Sequence, residues 1–160
     1  VISQKIADTF RDRVFPGGLT YSGHPLACAA AVASINIFKE EKIVEHARML
    51  GKDVIGPALE KMKAKHPSVG DVRGLGVFWA IELVKNRETR EPYVPFNASG
   101  PDAKPMMDLI VACKERNLWP FTHFNRIHVV PPCNTPVEDV KTGLAIIDEV
   151  LDIADKHCKN

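Results

Sequence analysis

The sequence is poor in cysteine, and its cysteines do not cluster. The four cysteines lie far apart, with no Cys-x-x-Cys pair, at Cys28, Cys113, Cys133 and Cys158. Structural zinc sites and disulfide-rich secreted folds both require clustered cysteines. We therefore expect no metal site, reduced thiols and a cytoplasmic protein.

The sequence also lacks an excess of charge of either sign. Lysine and arginine together number 21 and aspartate and glutamate 20, which leaves a formal net charge of +1. A protein that binds nucleic acid or an anionic membrane through its charge carries a basic excess, so we expect neither partner. No apolar run approaches the length of a membrane span, and no internal repeat is visible.

The residues that are present suffice for one hydrophobic core. Hydrophobic residues make up 45% of the 160 positions, which is ordinary for a globular domain. The chain opens at Val1 rather than at Met, which leads us to expect a piece of a longer polypeptide.

The N-terminal part predicts two helices. Residues 1 and 2 are expected to end a strand, and Ser3 to cap a short helix over residues 4–13. Pro25 suits the first turn of a second helix, over residues 26–38, in which small side chains dominate. Because few bulky groups project from this second helix, we expect it to be buried between layers or subunits.

The middle of the chain predicts a long helix and then a strand. Apolar residues recur every three or four positions over residues 43–65, and Pro57 is expected to kink or divide this helix. Residues 69–84 read as one strand, with Val77, Trp79, Ile81 and Leu83 on one side of the pleat. Residues 85–105 are polar and rich in proline, which predicts a long loop.

The C-terminal part predicts helix, strand, strand, helix. A short helix over residues 106–116 is expected to turn Met107, Ile110, Val111 and Cys113 inward. Strands follow at 118–123 and 126–130, and Thr135 and Glu138 are expected to form a capping box on the last helix. The inner stripe of that helix is predicted at Val140, Leu144, Ile147, Val150 and Leu151. A small sheet covered on one face by helices fits an α+β domain.

Three motifs carry a family resemblance that covers nearly the whole chain. Residues 18–31 read GLTYSGHPLACAAA, residues 72–76 read VRGLG with IEL at 81–83, and residues 129–132 read VVPP. In this order, the motifs resemble the class III (omega-type) aminotransferases, which are pyridoxal-phosphate enzymes of fold type I. Cys133 departs from the leucine usual after the proline pair.

The resemblance implies a domain organisation. Residues 1–19 would be a remnant of the large α/β cofactor-binding domain, residues 20–50 an interdomain segment and helix, and residues 51–160 the small C-terminal α+β domain. None of the lysines lies in the context of the family's Schiff-base lysine, which would fall upstream of Val1. We therefore expect no catalytic residue in this chain and no transaminase activity from it alone.

The resemblance also implies a cofactor-binding role for the first motif. Thr20 would bind the cofactor phosphate of the other subunit of a homodimer, with Leu19 beside it and Tyr21 at the edge of the substrate pocket. A hydroxyl donates well to a phosphate oxygen, and the helix start at Pro25 favours an anion nearby. From the residues alone, Thr20 fits the cap of a turn better than a phosphate-binding role, Leu19 and Tyr21 fit core packing equally well, and His24 fits a structural role in the turn.

Arg126 and His128 are the candidate substrate-binding residues. Family members that act on amino acids often carry an arginine where this chain has His128, and Arg126 lies two residues earlier on the same side of a strand. Arg126 would bind an anionic group as a bidentate donor and His128 would add a hydrogen bond. The alternative is that both are surface residues of an edge strand. His123 and His128 have no acidic or thiol companion nearby in the sequence, so we expect no metal there. Arg73 is expected to have a structural role, either in a buried ion pair or as a donor to backbone carbonyls.

The implied function is transfer of an amino group from an amine or omega-amino acid to a keto acid, with pyridoxal phosphate as cofactor. The departure at His128 leaves room for an omega-amino acid, a sulfonate such as taurine or a plain amine. Two alternatives remain. One is a class III aminomutase or racemase, and the other is a noncatalytic α+β domain for ligand binding or dimerisation.

Overall fold

The computed structural model of the chain describes residues 2–158 and divides them into two units. The first unit runs to Glu41 and the second begins at Lys42. The division falls inside the interdomain segment expected from the sequence, and the boundaries at residues 19 and 50 stay a prediction. The expected strand end falls partly on Val1, outside the described residues, and Ile2 is in no strand.

The first unit consists of helices α1 (Gln4–Thr9) and α2 (Pro25–Glu40). The Ser3 hydroxyl accepts a hydrogen bond from the Ile6 N–H at 3.4 Å, so the predicted cap is confirmed. Helix α1 ends at Thr9 rather than Arg13, because the backbone leaves helical geometry at Phe10. No residue of α2 is buried in this chain, and the side chain of Leu26 is 75% exposed.

The second unit begins with three helical segments instead of one predicted helix. Helix α3 (Ile43–Met49) leads into a π-helical segment (Leu50–Ile55), which leads into helix α4 (Gly56–Lys65). Pro57, in the first turn of α4, lacks the N–H that would continue the preceding hydrogen-bond ladder, so it divides the helix after a stretch of wider turns. The regularly spaced apolar residues of this segment still face the core, since Leu50 is fully buried and Met62 is 4% exposed.

The predicted strand over residues 69–84 is wrong, because the segment forms a hairpin. Strands β1 (Val69–Leu75) and β2 (Phe78–Asn86) pair antiparallel around a turn in which Gly76 has a φ of +55°. Glycine adopts this left-handed conformation without the strain that a Cβ introduces. The alternation of side chains along β2 is as predicted, with Ile81 and Leu83 both fully buried.

The sheet is completed by strands from the C-terminal part. Strands β4 (Phe121–His123) and β5 (Arg126–Val129) form a second hairpin, and β5 pairs antiparallel with β2, so the strand order is β1-β2-β5-β4. The segment predicted as a loop contains the short strand β3 (Glu91–Pro92), which pairs with β2, and a 3-10 turn (Gly100–Ala103).

Helices α5 (Lys104–Glu115) and α6 (Val137–Asp155) complete the core. In α5 the buried residues are Met106, Leu109, Ala112 and Cys113. The prediction that Met107 and Val111 point inward is wrong: they are 52% and 49% exposed, because the buried stripe lies one position earlier along the helix.

The buried stripe predicted for α6 is confirmed at all five positions. The predicted capping box is wrong, because Pro136 occupies the N-cap position and the Thr135 hydroxyl donates to the Pro132 carbonyl at 2.8 Å. Among residues 2–158, no helix combines the length and apolar character that crossing a membrane requires.

Candidate functional site

The first candidate segment, residues 19–24, is a turn that leads directly into helix α2. The Ser22 N–H donates to the Leu19 carbonyl at 3.0 Å and the His24 N–H donates to the Tyr21 carbonyl at 3.1 Å. Gly23 has a φ of +72°, which allows the chain to reverse before the helix begins. The ring of Tyr21 lies 5.4 Å from that of His24, so His24 supports the turn through both its backbone and its side chain.

Hydrogen-bond donors are available at this turn. Thr20 is exposed, and its hydroxyl has no partner among the described residues. Helix α2 begins at Pro25, and the first N–H groups of any helix lack an intrahelical acceptor. The side chain of His24, at the N-cap position, does not accept from them either. A hydroxyl and free N–H groups at the positive end of a 16-residue helix match the oxygens of a phosphate. Leu19 is 80% exposed and Tyr21 73% exposed, so both are accessible beside these donors.

The second candidate segment is the face of the sheet that carries Arg126 and His128. Arg126 pairs in register with Glu82 of β2 and His128 with Ala80, which places both candidates on one face of β5. Ile127 and Val129 alternate with them and are buried on the opposite face. The predicted shared side is therefore confirmed for Arg126 and His128, and their roles toward a substrate stay a prediction.

Arg73 and Glu82 form an ion pair on the same face. An Arg73 guanidinium nitrogen lies 2.6 Å from a Glu82 carboxylate oxygen and another lies 3.0 Å from Asp71. Hydrogen bonding to Glu82 raises the pKa of Arg73 above its ordinary value. Arg73 therefore has the predicted structural role as an ion-pair partner, but at the surface and not buried, since its side chain is 49% exposed. Glu82, the residue across from Arg126, is already engaged in this pair.

Arg126 is held by the hairpin that joins β4 to β5. One of its terminal nitrogens lies 3.0 Å from Nδ1 of His123, the residue opposite it in register. The guanidinium carbon lies 5.9 Å from the centre of the Phe124 ring. Sequence patterning did not identify His123 or Phe124 as functional. The short connection between two strands was the signal that would place residue 123 opposite residue 126.

His128 is half-buried in an aromatic environment. The centre of its ring lies 5.1 Å from the centre of the Phe121 ring and 6.1 Å from the centre of the Phe78 ring. Neither nitrogen of the His128 ring has a hydrogen-bond partner among the described residues. Desolvation lowers the pKa of His128, and the charge of the neighbouring Arg126 lowers it further. The side chain therefore stays neutral at neutral pH and offers one N–H donor.

His128 also lines a cavity of about 320 Å³. Trp119 and Phe121 form part of its wall, together with the proline pair Pro131 and Pro132 that follows β5. Thr20, Leu19 and Tyr21 belong to the first unit, and Arg126 and His128 belong to the second.

Comparison with known proteins identifies the family. The sequence model of the family "Aminotransferase class-III" matches residues 1–151 of the chain. Since this match covers nearly every residue, the chain belongs to the class III aminotransferases. The resemblance drawn from the three motifs is confirmed, and so is the α+β fold within a fold-type I enzyme.

Individual relatives agree with this assignment. The chain is 36% identical over 146 residues to 5-aminovalerate aminotransferase DavT of Pseudomonas aeruginosa, a match covering 88% of the chain and 32% of that protein. It is 31% identical over 141 residues to ethanolamine-phosphate phospho-lyase homolog 1 of Caenorhabditis elegans, covering 86% of the chain and 28% of that protein.

A solved structure shows the same fold. The taurine:2-oxoglutarate aminotransferase of Bifidobacterium kashiwanohense, in complex with PLP and glutamate, is 35% identical to the chain and superposes with a TM-score of 0.84. The match covers 97% of this chain and 34% of that one. The chain thus spans about a third of the length of the relatives it matches.

Proposed function

We propose that this chain is the C-terminal part of a pyridoxal-phosphate-dependent aminotransferase that moves an amino group from an amine or omega-amino acid to a keto acid. The observation that carries the proposal is the family match over residues 1–151, which includes both the Thr20 turn and the Arg126 hairpin. Two of the similar proteins are named for 5-aminovalerate and taurine, compounds that carry an amine at one end and an acid group at the other.

The turn at residues 19–24 is the proposed phosphate-binding element. The Thr20 hydroxyl and the free N–H groups at the start of α2 donate to phosphate oxygens, and Leu19 supplies apolar contact beside them. Pyridoxal phosphate, when bound, supplies the electron sink that a transamination needs. In a homodimer, Thr20 would serve the cofactor of the other subunit.

Arg126 and His128 are the proposed substrate-binding residues, with Tyr21 at the edge of the pocket. The guanidinium of Arg126 binds an acid group with two parallel hydrogen bonds. His128 is neutral and half-buried, so it contributes a single hydrogen bond rather than a charge. Because Arg126 is placed to bind an acid group, we favour an omega-amino acid or an aminosulfonate over a plain amine as the amino donor.

A second candidate function stays within the family. The similarity to a protein named as a phospho-lyase homolog supports the view that class III members share this C-terminal part across different reactions. An aminomutase or a racemase would leave the amino group on the product, so an assay for net keto-acid formation separates them from an aminotransferase.

The partners and location follow from the same proposal. A homodimer provides Thr20 in trans, and an amine donor and a keto-acid acceptor are the small-molecule partners. All four cysteines are free, two of them exposed, which supports the proposed cytoplasmic location, where thiols stay reduced.

Borohydride trapping tests the proposal. The 160-residue chain and a complete polypeptide that contains it are each incubated with pyridoxal phosphate, reduced, and analysed by intact mass and peptide mapping. We expect stoichiometric labelling of one lysine upstream of Val1 in the complete protein and only scattered, substoichiometric labelling of the chain. Clean labelling of a single lysine within the chain would show that the proposed location of the active site is wrong.

A further inference from the structure

The position of Arg126 depends on a second residue of its own hairpin. One terminal nitrogen of Arg126 lies 3.0 Å from Nδ1 of His123. A guanidinium has donors and no acceptor, so His123 must present Nδ1 as the acceptor and keep its proton on Nε2. The acceptor at Nδ1 is therefore what holds the Arg126 guanidinium.

The tip of the hairpin is fixed independently of Arg126. The Asn125 side-chain amide donates to the Leu83 carbonyl at 2.8 Å, and the Leu83 N–H donates to the Asn125 carbonyl at 2.8 Å. The centre of the Phe124 ring lies 4.4 Å from the centre of the Phe96 ring and 3.9 Å from the centre of the His123 ring. This attachment to β2 and to Phe96 gives His123 a stable base from which to orient the guanidinium.

The charges around Arg126 leave its remaining donors available. Glu82 lies opposite Arg126 on β2, but Arg73 binds its carboxylate at 2.6 Å. Within residues 2–158, Arg126 forms no salt bridge, and His123 is its one hydrogen-bonded side-chain partner. The other cationic or titratable group on this face close to Arg126 is His128, which is neutral. A fixed guanidinium with unpaired N–H groups is an arrangement that binds an incoming acid group at a small cost in side-chain entropy.

We infer that His123 is a positioning residue for substrate binding: it orients Arg126 so that the guanidinium receives the acid group of the amino donor. This inference rests on the proposed function, in which Arg126 binds that acid group. His123 would then be a residue that determines substrate specificity, although it lies in the β4–β5 hairpin and not in the motif before the proline pair. The two candidate substrate-binding residues also differ: His123 orients Arg126, whereas the ring nitrogens of His128 have no hydrogen-bond partner among the described residues.

Four variants of the complete enzyme test the inference. His123→Phe keeps a ring against Phe124 but removes the acceptor, and His123→Asn restores an acceptor close to the position of Nδ1. Arg126→Gln removes the charge itself. Arg90→Gln is the control, because Arg90 is an exposed arginine that lies between β2 and β3 and outside the β4–β5 hairpin. Each variant is assayed with 5-aminovalerate, which carries an acid group, and with pentylamine, which does not.

The expected result is a change in KM for one donor. We expect His123→Phe to raise the KM for 5-aminovalerate about fivefold to tenfold, with kcat within about twofold of wild type. In His123→Asn the KM should lie within about threefold of wild type. Arg126→Gln should raise the KM by about 30-fold or more. Pentylamine KM stays within about twofold in the His123 variants, because pentylamine has no group for Arg126 to bind. Arg90→Gln changes neither KM.

Each other outcome overturns a different statement. A wild-type enzyme without net transamination of either donor would overturn the proposed function. An Arg126→Gln variant with an unchanged KM for 5-aminovalerate would overturn the role of Arg126, and the inference with it, while the function stands. If His123→Phe raised the KM equally for both donors, or if His123→Asn did not restore the KM for 5-aminovalerate, His123 would have a structural role. That outcome would overturn the inference and leave the proposed function standing.

Discussion

His66 and Asp155 form a buried hydrogen bond that joins the start of the sheet to the last helix. Nδ1 of His66 lies 2.7 Å from a carboxylate oxygen of Asp155, and the His66 side chain is only 1% exposed. Nε2 of the same ring lies 3.0 Å from Asp148, about two helical turns earlier on α6. The other oxygen of Asp155 accepts from the N–H and the hydroxyl of Ser68 at 3.1 and 2.6 Å. The segment between α4 and β1 is thereby fixed against α6.

His66→Ala is expected to destabilise the protein strongly. The substitution leaves Asp155 and Asp148 without their ring partner and opens a cavity, so we expect the free energy of unfolding to fall by about 2–3 kcal/mol. Urea-induced unfolding measures this difference. Asp152→Asn is the control: its carboxylate lies 3.6 Å from the ring and is 69% exposed, so we expect a change below about 0.5 kcal/mol. Equal effects of the two substitutions would contradict the proposed importance of the buried pair.

Asp148 makes the stability depend on pH on the acid side. Burial alone raises the pKa of this carboxyl, but hydrogen bonds from Lys65 and His66 outweigh it, and the net result is a pKa below the ordinary value of 3.8. Because the folded pKa is lower than the unfolded one, this contribution is fully present above the unfolded value and is lost as the pH falls through the folded one.

Asp148→Asn is therefore expected to matter less in acid. The difference in unfolding free energy between wild type and variant should be constant between about pH 5 and pH 6 and should shrink below about pH 4. Urea-induced unfolding across this range measures the difference. A difference that stays constant down to about pH 2 would mean that the carboxylate charge contributes nothing.

Gly51→Ala is expected to disrupt the contact between the π-helical segment and the β1–β2 turn. A Cβ at residue 51 would overlap the backbone carbonyl of Gly76, and neither backbone can move away without disturbing its own element. We expect a loss of about 2–3 kcal/mol in the free energy of unfolding.

Gly143→Ala in α6 is the matched control for that substitution. Its Cβ would meet only the Leu118 side chain, at an ordinary 3.7 Å. We expect this helical substitution to stabilise the protein by about 0.5–1 kcal/mol. Gly51→Ala and Gly143→Ala with the same sign of effect would show that the close approach to Gly76 is not limiting.

Thr20→Val is expected to weaken cofactor binding if the proposed phosphate-binding element is right. The substitution keeps the shape of the side chain but removes the hydroxyl, so we expect the Kd for pyridoxal phosphate to rise about tenfold or more, and Thr20→Ser to stay within about threefold. Absorbance titration of the cofactor-depleted complete protein measures the Kd. Thr142→Val is the control, because the Thr142 hydroxyl donates within α6 to the Glu138 carbonyl. An unchanged Kd in Thr20→Val would reject the phosphate-binding role.

Local patterns in the sequence predicted the helices well. Helix α2 begins at the predicted proline, and the five residues of the α6 stripe are all buried, since a period of 3.6 is a property of the helix itself. Predictions failed where two distant segments decide the outcome. The apolar run through residues 69–84 reads as one strand, but the chain turns at Gly76, whose backbone lies against Gly51 of a distant segment.

The candidate site divides in the same way. The motif around Thr20 is contiguous and was identified from its residues, as was the pair formed by Arg126 and His128, whose shared side follows from a period of two. The hydrogen bond from Arg126 to His123 depends on the pairing of β4 with β5, and the burial of His66 depends on α6 lying beside it. The short connection between β4 and β5 is a local signal for the first contact, whereas no local pattern encodes the second.

The sequence by itself determined the family, the helix positions, the alternation of side chains and the identity of the residues proposed to bind the cofactor and the substrate. These depend on residue type and local spacing, which the backbone converts directly into a helix face or a strand face. The tertiary structure alone decided how the hairpin of Arg126 is attached to β2 and why His66 is buried beside the carboxylates of α6. Those features arise from contacts between residues far apart in the chain, whose free energy exists only once the elements have packed together.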